Sequence, residues 1–231
     1  MKGCIITGAS KGIGRAVAVR MSREADVGPI ALVARSEQGL RETAALMAGD
    51  RAVLLPCDLG DLSAIPDLVG QAQRALGGIG MLLNIAGYTE PASLMDITDE
   101  NISRTFTVNV FAALAMAREC VRYMRADGGK ILNVASTAGT TPRPGWLTYA
   151  ASKAAVISLS QTLSEELSEY NIQVYCLSPG RCATDMRHRL APEEDPAQIM
   201  QPERVAEIIA TLMRDGANCL DGQNIIVRQR T

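Results

Sequence analysis

Tyr149 and Lys153 lie four residues apart in the run YAASK, and Ser136 lies thirteen residues before the tyrosine. Positions i and i+4 share one face of a helix, so the phenol and the ammonium can meet. A phenol ionises near about 10 in water, and an adjacent cation favours the phenolate. The pair therefore predicts a tyrosine shifted toward the range where it transfers a proton at neutral pH. A serine hydroxyl from a neighbouring strand would hold the same substrate oxygen. The three read as proton donor, tuner and oxygen clamp. Taken alone, YAASK also fits a partly exposed helix face with no chemistry.

The elements that position these groups alternate along the whole chain. Strand-like apolar runs fall at 4–7, 29–34, 52–57, 81–86, 130–136, 172–178 and 224–228, with helical patterns near 13–25, 36–48, 61–76, 99–126, 146–170 and 202–215. Near-continuous apolar strands joined by helical crossovers imply a parallel sheet covered on both faces. The expected fold is therefore α/β, one doubly wound Rossmann-type domain over 1–231 with a seven-stranded parallel sheet. Ligands would sit at the carboxyl ends of its strands. Residues 179–200 are the least regular stretch, and about 181–200 reads as a substrate lid.

The first strand runs into TGASKGIG, with Gly8, Gly12 and Gly14. A strand, a glycine turn and a helix start make a phosphate cradle, because glycine admits the backbone close to a pyrophosphate and the helix offers free N–H groups. Ala34 stands where an acidic residue would bind a ribose 2′-hydroxyl, and Arg35 follows. With Lys11 in the glycine turn, two cations and no local carboxylate favour a 2′-phosphate, hence NADPH over NADH. Asp58 in CDLGD either accepts from the adenine amine or caps the helix beginning near Asp61. Asn84 to Gly87 form a small turn after the fourth strand, against which a ring can stack.

Composition narrows the classes. The 231 residues are 47% hydrophobic and carry a net charge of -2, with a mean hydropathy of +0.07 and a pI near 5.6. Nothing here is basic enough for general nucleic-acid binding. No run of about 18 uncharged apolar residues predicts a membrane span. The opening MKGCIITGAS does not resemble a secretory signal. Six cysteines without regular spacing read as reduced core residues of a cytoplasmic protein. One histidine, His188, leaves no metal site and no serine–histidine triad to expect.

In order along the chain, TGASKGIG, CDLGD, LLNIAG, TVNVFAAL, ILNVAST, YAASK and SPGRCAT resemble the short-chain dehydrogenase/reductase family. One departure is NIAG for the usual NNAG, with Ile85 replacing the second asparagine; another is Arg181, where an apolar residue is more usual. The resemblance implies that Ser136 holds a carbonyl oxygen, Tyr149 protonates it, Lys153 binds the nicotinamide ribose and tunes Tyr149, and Asn109 holds a water of the proton relay. Asn109 equally fits a buried helix asparagine bonded to backbone. The nucleotide would be held by Gly8, Ser10, Lys11, Gly12, Ile13 and Gly14 of the turn. Arg35, Asp58, Leu59, Asn84, Ala86 and Gly87 would follow, with Tyr149, Lys153, Pro179, Gly180, Cys182 and Thr184 at the nicotinamide end.

The expected activity is NADPH-dependent reduction of a ketone. The first-ranked substrate is a 3-oxoacyl-acyl-carrier protein. Alternatives are a small carbonyl or pterin, or a keto-sugar phosphate, and outside catalysis an NADP-sensing binding protein. Arg181, Arg187 and Trp146 are the substrate candidates. Arg181, Arg187 and Arg189 in the lid, with Arg143, either bind an anionic substrate or carrier or are solvated and balanced by Glu193, Glu194 and Asp195. A short lid implies a small or exposed pocket. The apolar helices 99–126 and 146–170 imply a homodimer or homotetramer, and the polar end RQRT leaves the choice between them open.

Overall fold

β1 (Gly3–Thr7) is buried at every position and lies third among the seven strands of the sheet. β2 (Ile30–Ala34) and β3 (Ala52–Pro56) pair outward on one side of it. β4 (Ile79–Asn84), β5 (Gly129–Val134), β6 (Ile172–Pro179) and β7 (Asn224–Val227) follow on the other. The order is β3-β2-β1-β4-β5-β6-β7, and every pair is parallel. This architecture is that of a computed structural model, which describes residues 1–229; Arg230 and Thr231 of the RQRT end lie outside the described residues.

Alternate β1 side chains face opposite layers, as the period of two requires. Cys4 and Ile6 pack with α1 (Gly12–Met21) and α8 (Pro202–Met213), and α2 (Glu37–Leu46) completes that layer. Ile5 packs on the other face with α3 (Ile65–Leu76) and α5 (Ala112–Met124). α6 (Leu147–Leu167) lies against β6 on this second side. The chain order reverses between β1 and β4, and a crevice opens there at the carboxyl ends of the strands.

The helix read as continuous over 99–126 is interrupted. α4 (Asp99–Phe106) passes through a wider π turn at Thr107–Phe111 before α5 begins. The turn is rich in β-branched residues, which crowd the preceding helical turn, and it carries Asn109. Single π turns of this kind are common at functional sites. The stretch 181–200 is more regular than its composition implies, since it contains the short helix α7 (Asp185–Leu190). The cysteines are all free, as expected, but Cys219 is exposed and Cys57 half-buried, so those two are not core residues. Among the described residues no helix is long and apolar enough to cross a membrane, and no group of His, Cys, Asp or Glu is placed to hold a metal.

Candidate active site

The glycine turn follows β1 directly and is built by close approach. A Cβ on Gly14 would lie 2.1 Å from the Gly8 carbonyl oxygen, and one on Gly8 would lie 2.9 Å from Ala86 backbone. Gly8 also has a φ of +71°, in the left-handed region open mainly to glycine. The Thr7 hydroxyl accepts from the N–H groups of Ile85 (3.0 Å) and Ala86 (3.1 Å), which locks the β4 turn to the β1 turn. These bonds hold the NIAG backbone in place, while Ile85 itself packs on the core. No side chain caps the start of α1, so its first N–H groups face the cleft free for an anion. A glycine with no room for a methyl beside an uncapped helix start fits a dinucleotide pyrophosphate.

The cleft has a volume of about 950 Å³. That is at the upper end of the roughly 300–1,000 Å³ usual for ligand sites. The nucleotide groove and the substrate end are continuous, so this volume belongs to both. The site residues named from the sequence line this cleft, with two exceptions, Asn84 and Asn109.

Asn84 is a framework residue. Its amide donates to Asn133 Oδ1 (2.9 Å) and the Ala113 carbonyl (3.3 Å); Asn133 donates to Ser160 Oγ (3.0 Å), and Ser160 donates to the Val156 carbonyl (2.7 Å). This buried ladder ties the ends of β4 and β5 to α6, the helix that carries Tyr149 and Lys153. Asn109 is similarly engaged. Its Oδ1 accepts from Tyr88 N (2.7 Å), and its Nδ2 donates to the Tyr88 carbonyl (2.9 Å) and Ser152 Oγ (2.9 Å). It is buried and bonded to backbone, an arrangement common to both expectations, and it clamps Tyr88 at the wall of the cleft.

Ser136, Tyr149 and Lys153 converge at the cleft floor. Ser136 follows β5 and accepts from the Ala138 N–H (3.2 Å). Lys153 donates to the Val134 carbonyl (2.8 Å), and its amine lies 5.8 Å from the Tyr149 ring centre. The geometry corrects the expected tuning. Burial pushes the Tyr149 phenol up from its ordinary value, and the Ser136 hydroxyl pulls it only partly back. Lys153 is the strongly shifted group: burial lowers it to about 8.

This shift has a pH signature. Between about 8 and 10.5 the folded lysine is neutral while the unfolded one is still protonated. The unfolded state then binds more protons, so this group's contribution to stability rises with pH through that window. Buried thiols oppose it, since Cys176 and Cys182 are pushed up to about 11 and 12, so the lysine is isolated by difference. The melting temperature of the wild type minus that of Lys153→Met is expected to increase across the window. A flat difference counts against the buried, depressed amine.

Asp58 does not cap the next helix; it accepts from the Gly60 N–H (2.9 Å), and Asp61 supplies the cap to Ser63 N (3.0 Å). Thr184 caps α7 through the Arg187 N–H (3.2 Å) and sits against Gly12. Two charge assignments change. Lys11 has a carboxylate partner after all, because Asp185 of α7 lies 2.8 Å away, and that contact holds Asp185 below its ordinary value. Arg187 pairs through two nitrogens with Glu194 (2.5 and 2.8 Å), which also accepts from Arg181 (3.1 Å). Both arginines are thus paired within the lid, though the one Glu194 carboxylate offsets only one of their two charges. Arg187 also lies 5.8 Å from the Trp146 ring, and Trp146 meets Tyr149 edge to face.

The cleft also recruits Tyr88, Arg104, Asp185 and Met186, none singled out from the sequence. Arg104 is an exposed cation on α4, indistinguishable in sequence from a solvated one. Its guanidinium stacks 4.8 Å from the Tyr88 ring centre, which places it at the wall.

A family model described as short chain dehydrogenase matches residues 2–195. The chain is 30% identical over 232 residues to a 3-oxoacyl-[acyl-carrier-protein] reductase of Haemophilus influenzae, covering 96% of this chain and 95% of that protein. An NAD+-bound xylitol dehydrogenase matches with a TM-score of 0.90 at 27% identity, over 98% of this chain and 97% of that one. A short chain dehydrogenase from Burkholderia cenocepacia in complex with NADP matches with a TM-score of 0.86 at 29% identity, over 98% and 96%.

Proposed function

Since the chain belongs to the short-chain dehydrogenase/reductase family, we propose that it reduces a ketone with NADPH, its first-ranked acceptor being a 3-oxoacyl thioester on a carrier. The observation that carries the reading is the convergence of Ser136, Tyr149 and Lys153 in the cleft beside the glycine turn. The bound nicotinamide supplies the hydride. Ser136 and Tyr149 donate to the carbonyl oxygen, and the Tyr149 proton passes to the oxygen as it becomes an alcohol. A phenol raised by burial stays protonated at neutral pH, which is the state a reduction needs. Lys153, at about 8, is mostly protonated at neutral pH and supports the ribose and the charge left on the phenol. Coverage of almost the whole acyl-carrier reductase supports that acceptor class. The test is NADPH oxidation with acetoacetyl thioesters, diketones, sepiapterin and ketose phosphates. No oxidation with any of them leaves the sensor reading in its place.

The preference for NADPH rests on Ala34 and on Arg35, which lines the cleft and makes no ion pair among the described residues. Lys11 contributes less than its position suggests, because Asp185 competes with a 2′-phosphate for it. A charge-assisted bond is worth about 1.5–3 kcal/mol, or roughly 10–100-fold in affinity. Arg35→Ala is expected to weaken NADPH by that factor and leave NADH unchanged. Asp185→Asn is expected to tighten NADPH alone. Equal kcat/KM for both nucleotides in the wild type rejects the preference.

Exposed apolar side chains on α4, the π turn, α5 and α6, namely Ile102, Phe111, Leu114, Tyr123 and Leu147, support a homo-oligomer contact. A monomer by light scattering argues against it.

A further inference from the structure

We infer that the substrate end of the cleft contains an anion subsite formed by Arg104, Arg143 and Arg189, which holds a carboxylate or phosphate carried by the carbonyl substrate. The inference rests on the reductase reading and names its substrate class. Eight cationic side chains line the cleft against two carboxylates, Asp58 and Asp185. Lys11 and Arg35 serve the nucleotide side and Lys153 the reacting centre. Five arginines remain, more than the cofactor contacts need.

Their pairing separates them. Arg181 and Arg187 are held by Glu194, so an incoming anion would have to displace a carboxylate already in place. Arg104, Arg143 and Arg189 form no ion pair among the described residues. Asp185, one turn before Arg189 on α7, is already bonded to Lys11. The three come from separate elements: α4, the loop after β5, and the lid. Arg104 is held against Tyr88, which Asn109 clamps on both its N–H and carbonyl.

A second observation points to the same place. Arg104 and Arg189 also line a smaller recess of about 410 Å³ that adjoins them at Tyr88 and Thr89. The buried Thr89 hydroxyl there has no hydrogen-bond partner, and buried hydroxyls rarely go unpaired. Glu90 and Glu100 also line that recess, but neither lines the main cleft. An anion is therefore drawn to the main cleft, which Thr89 also lines. Several guanidinium groups around one cleft suit a planar, multidentate anion, and low-dielectric walls strengthen their field.

The source of the anion is a small oxo acid or the phosphate of a carrier arm, and two matched pairs distinguish them. Acetoacetate is compared with methyl acetoacetate, and acetoacetyl-coenzyme A with acetoacetyl-N-acetylcysteamine. Binding is read first from the fluorescence of Trp146, the one tryptophan of the chain, which lines the cleft. The titrations are run with and without NADP+, and NADPH turnover is measured separately. At least one charged probe is expected to bind about ten-fold or more tightly than its neutral partner. Arg104→Gln, Arg143→Gln and Arg189→Gln are expected to remove that difference by raising Kd and KM, with kcat little changed and the neutral probe unaffected. Arg181→Gln is expected to leave the charged-to-neutral ratio unchanged. Equal binding within both pairs overturns the subsite, as does a loss in the three variants shared equally by charged and neutral probes. Charge-selective binding without any NADPH oxidation keeps the subsite and rejects the reductase reading.

Discussion

Tyr149→Phe is expected to lower turnover by about 10²–10⁴, the usual worth of a positioned general acid, while NADPH binds with nearly unchanged Kd. The substitution removes one oxygen and keeps the ring, which meets Trp146 edge to face at 6.1 Å. Helix α6 and the cleft wall should therefore stay in place. The phenol is a proton donor at neutral pH and lies beside the Ser136 hydroxyl. The measurement is single-turnover reduction at saturating NADPH, alongside nucleotide titration. Turnover within a few-fold of wild type would remove Tyr149 from the mechanism. Loss of nucleotide binding as well would mean the side chain acts structurally.

Gly14→Ala is expected to weaken NADPH at least about ten-fold and to lower the melting temperature. The added methyl would sit 2.1 Å from the Gly8 oxygen and 2.6 Å from its carbonyl carbon. Backbone cannot rotate away as a side chain can, so α1 and the glycine turn must separate. Overpacking of this kind costs about 1–3 kcal/mol or more, and it falls on the turn that cradles the pyrophosphate. Gly70→Ala is the contrast. Gly70 lies within α3, and its Cβ would meet nothing closer than the flexible end of Arg74 at 3.5 Å. Helix propensity then dominates, and stability should rise by about 0.5–1 kcal/mol. Similar effects at both positions would show that close approach at the turn is not what selects Gly14.

Much of this molecule was legible because its cues are local. The seven strand-like runs became the seven strands of one parallel sheet, since continuous apolar runs need cover on both faces. The glycine turn and the trio of Ser136, Tyr149 and Lys153 came out in one cleft, because each is set by its own strand end or helix face. The helix over 99–126 was harder. Its apolar pattern is continuous, and β-branched residues like those of TVNVF also occur in regular helices.

What the sequence determined is thus the kind of chemistry: a nucleotide cradle, a proton donor and an oxygen clamp at the ends of a parallel sheet. Only the tertiary structure decided which charges remain available to ligands. Lys11 lost its apparent freedom to Asp185, 174 residues away, and Glu194 took up Arg181 and Arg187. Asn84 turned inward to Asn133 and left the cleft wall, while the exposed Arg104 was brought to it. A side chain's type and local periodicity are written in the sequence next to it. Its electrostatic partners are chosen by chain crossings over long separations, and the same cation reads identically whether it ends beside a carboxylate or faces a cleft.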